Sequence, residues 1–139
     1  MTSRDMDTAH VEALRIKAVL FDMDGLLVDT ESLAMRGLEQ AAAEMGISAP
    51  ESFRHAMIGV PADRCRVLVQ ERFGPGFPAE DYLAAASRHM DAMIEAGALR
   101  LKPGVRCLLS HLEALGYRRR LRHPRARSRR NAISAALAF

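Results

Sequence analysis

The 139-residue sequence is short of the features that define several common classes. It holds two cysteines, Cys65 and Cys107, with no CxxC and no histidine at metal-ligand spacing, so two reduced thiols are expected rather than a disulfide framework or a zinc site. No apolar run nears the roughly 18 residues of a membrane span. The opening MTSRDMDTAH lacks the basic-then-apolar order of a signal peptide, and a cytoplasmic protein is expected. Between Ser32 and Gly97 no segment has the alternation or β-branched richness of a strand. Acidic residues stop at Glu113. Eight of the 20 basic residues are arginines between Arg118 and Arg130, a stretch without aromatics, so an acidic body precedes a basic tail.

What is present begins at IKAVLFDMDGLLVDTE, residues 16–31. Ile16 to Phe21 is nearly all apolar and suits a strand buried on both faces of a parallel sheet. Asp22 and Asp24 follow, two positions apart, so both carboxylates point to one side while Met23 points to the other. Gly25 lets the chain turn sharply after them. Two carboxylates at a strand end make a site for a hard cation such as Mg²⁺, which takes one or two carboxylates plus waters and phosphate oxygens. One of them can attack phosphorus, and the other can move protons. A calcium loop fits poorly, because its glycine would be sixth and Gly25 is fourth from Asp22. A solvated acidic turn would seldom place Leu26, Leu27 and Val28 between its acids.

Helical stripes then follow one another. SLAMRGLEQAAAEMG carries Leu33, Leu38, Ala41, Ala42 and Met45 on one face and stops at Gly46. PESFRHAMIG, PADRCRVLVQERFG and PAEDYLAAASRHMDAMIEAG read as further helices with prolines near their starts. LKPGVRCLLSHLEALGY gives a turn and a helix with Val105, Leu108, Leu109, Leu112 and Leu115 on its apolar face. The expected organisation is a mobile leader at 1–15, core strand and catalytic loop at 16–31, an α-helical insert at 32–98, a return to the core at 99–117 and a basic tail at 118–139.

The string FDMDGLLVDTE, with the helical insert after it, resembles the signature of the haloacid dehalogenase superfamily, in its branch of capped phosphatases and phosphosugar mutases. The resemblance covers residues 16 to about 117. It implies an α/β fold: an incomplete Rossmann-like core, of first strand and re-entry helix, with an inserted α-helical cap. It implies Asp22 as nucleophile and Asp24 as general acid and base, with Mg²⁺ held by Asp22 and the backbone carbonyl of Asp24. Glu31 would stand beside the substrate, and in IGVPADR Gly59 and Arg64 would face it from the cap. The implied activity is hydrolysis of a small phosphorylated metabolite through an aspartyl-phosphate, with transfer by a phosphosugar mutase as the alternative.

The same resemblance calls for an apolar second strand after Tyr117, and for a later Lys and acidic pair. The chain instead reads RRRLRHPRARSRR. Arginine at that density is expected not to form a buried strand, since each unpaired buried charge costs several kcal/mol, roughly as for desolvated ions. A shifted reading frame would account for the tail, and the chain as written is then a truncated member with negligible activity. A nucleic-acid or anion-binding protein using the arginines is the alternative of another class, weakened by the lack of interleaved aromatics.

Overall fold

The computed structural model describes residues 17–121; the expected leader and the tail from 122 onward lie outside the described residues. The order is β1 (Ala18–Phe21), α1 (Thr30–Glu44), α2 (Glu51–His55), α3 (Ala62–Phe73), α4 (Ala79–Glu95), α5 (Val105–Ala114) and β2 (Arg118–Leu121). α1 begins two residues before Ser32 because Asp29 caps it: its carboxylate accepts from the Ser32 backbone N–H at 3.3 Å and from the Ser32 hydroxyl at 2.8 Å. Pro61 and Pro78 stand immediately before α3 and α4, where the absent N–H costs nothing.

One expectation is corrected. Arg118–Leu121 does form a strand, and it pairs in parallel with β1 in the register Ala18 to Arg118 through Phe21 to Leu121. The ladder is built of backbone groups, which arginine supplies as well as any residue but proline. The sheet is also not enclosed on both faces as the apolar run implied. Ala18 and Leu20 are exposed, Leu20 to 68%, whereas Phe21 is buried and Val19 packs on the core. Arg118 lies in solvent, so the burial cost assigned to the arginines does not arise there.

The apolar residues form two adjoining clusters. Phe21, Met23, Leu27, Val28 and Leu33 pack with Ile94, Val105, Leu109 and Leu112, joining the strand end to α5 and to the end of α4. In the cap, Leu38, Ala41, Ala42, Val69, Tyr82, Ala85 and Ala86 pack between α1, α3 and α4. Tyr82 is fully buried and donates its hydroxyl to the Leu38 carbonyl at 3.1 Å. Burial pushes that phenol up to about 12, against the opposing pull of Arg54. Of the predicted apolar face of α5, Leu108 and Leu115 remain exposed. Among the described residues the fold is therefore an α/β arrangement of two parallel strands and α5, with an inserted helical cap.

The two connections between core and cap are tied together. Val28 pairs with Leu101 in an antiparallel bridge, the Asp29 N–H donates to the Arg100 carbonyl at 2.9 Å, and the Lys102 N–H donates to the Leu27 carbonyl at 2.9 Å. The outgoing and returning chains thus leave and enter the core side by side, which sets the cap above the strand end.

Candidate active site

The acidic turn is built from its apolar residues outward. Met23 is fully buried, and its carbonyl accepts from the N–H groups of Leu26, Leu27 and Val28 at 3.0–3.3 Å. Leu27 and Val28 are buried beside it, which fixes a tight loop from the inside. Asp22 and Asp24, flanking Met23, are both exposed, as side chains on the opposite side of an extended segment must be. Gly25 has φ +71°, which side-chain-bearing residues rarely adopt. Its N–H donates to the Val28 carbonyl at 3.0 Å and to the Thr30 hydroxyl at 3.1 Å, so the first residue of α1 holds the turn. A Cβ at Gly25 would also stand 2.8 Å from Oε1 of Glu31, whose carboxylate lies over the glycine.

A cleft of about 460 Å³ opens from this turn into the cap. Asp24, Thr30 and Glu31 line its core end, Ile58, Gly59 and Val60 line one wall, and Leu83, Ala86, Ser87 and Met90 of α4 line another. Of the residues singled out from sequence, Asp24, Glu31 and Gly59 are brought together here. Asp22 shares the exposed side of the strand end with Asp24 but does not line the cleft. Arg64 does not line it either: it is exposed on α3 with its guanidinium 3.8 Å from Glu71, two turns along the same helix. The cap position expected of Arg64 is thus replaced by a surface ion pair.

The α4 wall was not singled out from sequence. Leu83, Ala86, Ser87 and Met90 recur at helical spacing, and that recurrence was the available signal. Cys65 also borders the cleft, buried, with its thiol toward the carbonyls of Met57 and Val60 at 3.6 and 3.5 Å. Burial, and secondarily Asp63, push that thiol above its ordinary pKa. At the base of α1, the hydrogen bonds from Ser32 hold the Asp29 carboxyl below the usual carboxylate value, with burial opposing and Lys102, 3.8 Å away, assisting. None of the ion pairs among the described residues involves Asp22 or Asp24. No helix among them is long and apolar enough to cross a membrane.

Known proteins share this fold. The chain is 28% identical over 109 residues to Protein CbbY of Cereibacter sphaeroides, covering 74% of this chain and 47% of that protein. In structure it resembles a hydrolase from Pseudomonas syringae, with TM-score 0.63, 16% identity, and 88% and 56% of the two chains covered. CbbY from Rhodobacter sphaeroides, solved with phosphate, gives TM-score 0.59 at 24% identity over 87% of this chain and 56% of that one. A mutant of that protein was solved with xylulose-(1,5)bisphosphate. The chain spans about half the length of the relatives it matches. The sequence model of the haloacid dehalogenase-like hydrolases matches residues 16–122, from the apolar run through the acidic turn, the cap and β2, and the chain belongs to that family.

Proposed function

We propose that this chain carries the nucleophilic half of a cytoplasmic phosphatase for a small phosphorylated metabolite. The observation that carries the reading is the pair of exposed carboxylates, Asp22 and Asp24, held on one side of a strand end by a buried Met23, with Asp24 at the mouth of a cleft. Phosphate bound to the related CbbY supports the choice of a phosphate ester. The two free thiols, Cys65 and Cys107, fit a reducing compartment.

The residues fit a Mg²⁺ ion: none of the ion pairs among the described residues engages either carboxylate, and the Asp24 carbonyl adds a third oxygen donor. Bound there by Asp22 and that carbonyl, the ion would offset charge on the phosphoryl oxygens. Asp22 attacks phosphorus, and the bond to the alcohol oxygen breaks as the aspartyl-phosphate forms. Asp24 gives its proton to the departing alcohol and then takes one from the water that cleaves the acyl phosphate, returning Asp22 as a carboxylate with release of inorganic phosphate. The cap excludes other water while Asp22 is loaded.

Among the described residues that line the cleft there is no Lys or Arg. Loss of one such group costs on the order of 10²-fold in rate, and the 139-residue chain by itself is expected to turn over negligibly. The test is Mg²⁺-dependent phosphate release from an aryl phosphate, by this chain and by a version extended to the length of its relatives. In the extended protein Asp22→Asn abolishes turnover, and Asp24→Asn loses mainly proton transfer. An aspartyl-phosphate formed by Asp22→Asn would overturn the assignment.

A further inference from the structure

The cleft beyond Asp24 has a chemistry of its own. Its charged lining residues, Asp24 and Glu31, both stand at the core end and both are acidic. The far walls are Ile58 and Val60 on one side and Leu83, Ala86 and Met90 on the other, with Ala34 and Leu38 of α1 between them. Among the described residues of those walls Ser87 is the one hydroxyl. A second phosphate or a carboxylate placed among these side chains would lose its hydration without meeting a cation, and a polyol would find few partners for its hydroxyls. An apolar group meets no such penalty, and about 460 Å³ accommodates one of moderate size. Gly59, between Ile58 and Val60, adds backbone but no side chain to that wall.

We infer that the cleft selects the monophosphate ester of a compact, largely apolar alcohol over polyol phosphates and bisphosphates, with Ile58, Leu83 and Met90 determining that choice. The inference rests on the reading of Asp22 and Asp24 as the phosphoryl site, and extends it to the leaving group. A hydrophobic wall of this kind discriminates by factors on the order of 10 to 10².

The test measures binding to the full 139-residue chain in Mg²⁺, by ligand-observed NMR titration, so that turnover is not required. The probes are phenyl phosphate, glucose 6-phosphate and phenol. Phenyl phosphate and glucose 6-phosphate share their head group, so their ratio reports the cleft alone; phenyl phosphate is expected to bind at least tenfold tighter. Ile58→Lys, at a half-buried turn position that a long side chain can leave, should reduce that ratio severalfold, and Leu83→Gln should act in the same direction. Circular dichroism of both variants confirms the helices. A ratio near one, a preference for glucose 6-phosphate, or binding of neither ester would overturn the inference. Failure of the phosphoryl-site reading is separate: phenol would then bind as tightly as phenyl phosphate, and Asp22→Asn would leave both unchanged.

Discussion

At Gly37 two physical effects act with opposite sign, and substituting alanine there decides between them. The residue lies buried in the middle of α1, facing α4, and a Cβ would stand 2.5 Å from the Ala86 carbonyl oxygen and 3.4 Å from Cβ of Met90. Carbon and carbonyl oxygen ordinarily approach to about 3.3 Å, so the helices must part by roughly 0.8 Å, and the obstructing atom is backbone that no rotamer change can move. Overpacking of this kind costs about 1–3 kcal/mol. Alanine's better helix propensity offsets about 1 kcal/mol of that. The net expectation for Gly37→Ala is a loss of about 1 kcal/mol, or roughly 3–5 °C in Tm for a domain of this size. Ala86 and Met90 also line the cleft, so parting the helices should weaken phenyl phosphate binding too. The assay is urea unfolding followed by helical circular dichroism, with Gly76→Ala as control. Gly76 has open space around its Cβ position and should be neutral or gain about 0.4–1 kcal/mol. A urea midpoint for Gly37→Ala at or above that of the unsubstituted chain would refute the close-approach argument, because propensity alone would then be acting.

Asp29→Ala, which removes the cap of α1, should cost about 1 kcal/mol at neutral pH, whereas Asp29→Asn should cost little because asparagine caps as well. The folded Asp29 carboxyl sits below its ordinary 3.8, so its contribution is fully present above the unfolded value and fades as pH falls through the folded one. In urea midpoints taken below about pH 4, Asp29→Asn should therefore flatten the acid limb, and an unchanged limb would contradict the capping role. Thiol alkylation at pH 8, followed by mass spectrometry, should modify exposed Cys107 rapidly and buried Cys65 slowly; equal rates would contradict the cap packing. Any RNA retention by the arginines should fall steeply with salt and vanish when the chain is cut after Tyr117; retention by the trimmed chain would contradict the charge reading, because the remaining body is acidic.

The helices were legible because their ends carry strong local signals. Pro61 and Pro78 mark starts, Gly46 and Gly97 mark stops, and the stripe from Leu33 through Ala42 supplies a face; α1, α3 and α4 follow those marks closely. The exposed placement of Asp22 and Asp24 was legible for the same local reason, since alternation in an extended segment needs no tertiary information. The cleft was not. Its walls come from Ala34, Ile58 and Leu83, which neighbour one another only after α1 and α4 pack. Arg64 shows the limit from the other direction: its place beside Gly59 in sequence pointed to the cleft, but the turn of α3 carries it to the face that holds Glu71.

β2 shows how position can outweigh composition. Nothing in Arg118–Leu121 favours a strand, yet the segments before it leave the chain beside β1. Leu109 and Leu112 of α5 dock in the cluster that holds Phe21, and the Tyr117 N–H donates to the Leu112 carbonyl at 3.0 Å, closing the helix as the chain turns back. β1 then offers a row of backbone groups that must be paired, and the next residues supply the pairing whatever their side chains. What composition decides is the other face. Apolar side chains in β2 would give Ala18 and Leu20 neighbours to pack with in an extended sheet. Leu20 is 68% exposed, and Leu108 and Leu115 of α5 are exposed too. The parallel pairing thus forms through the backbone, while among the described residues the apolar faces of β1 and α5 stay open.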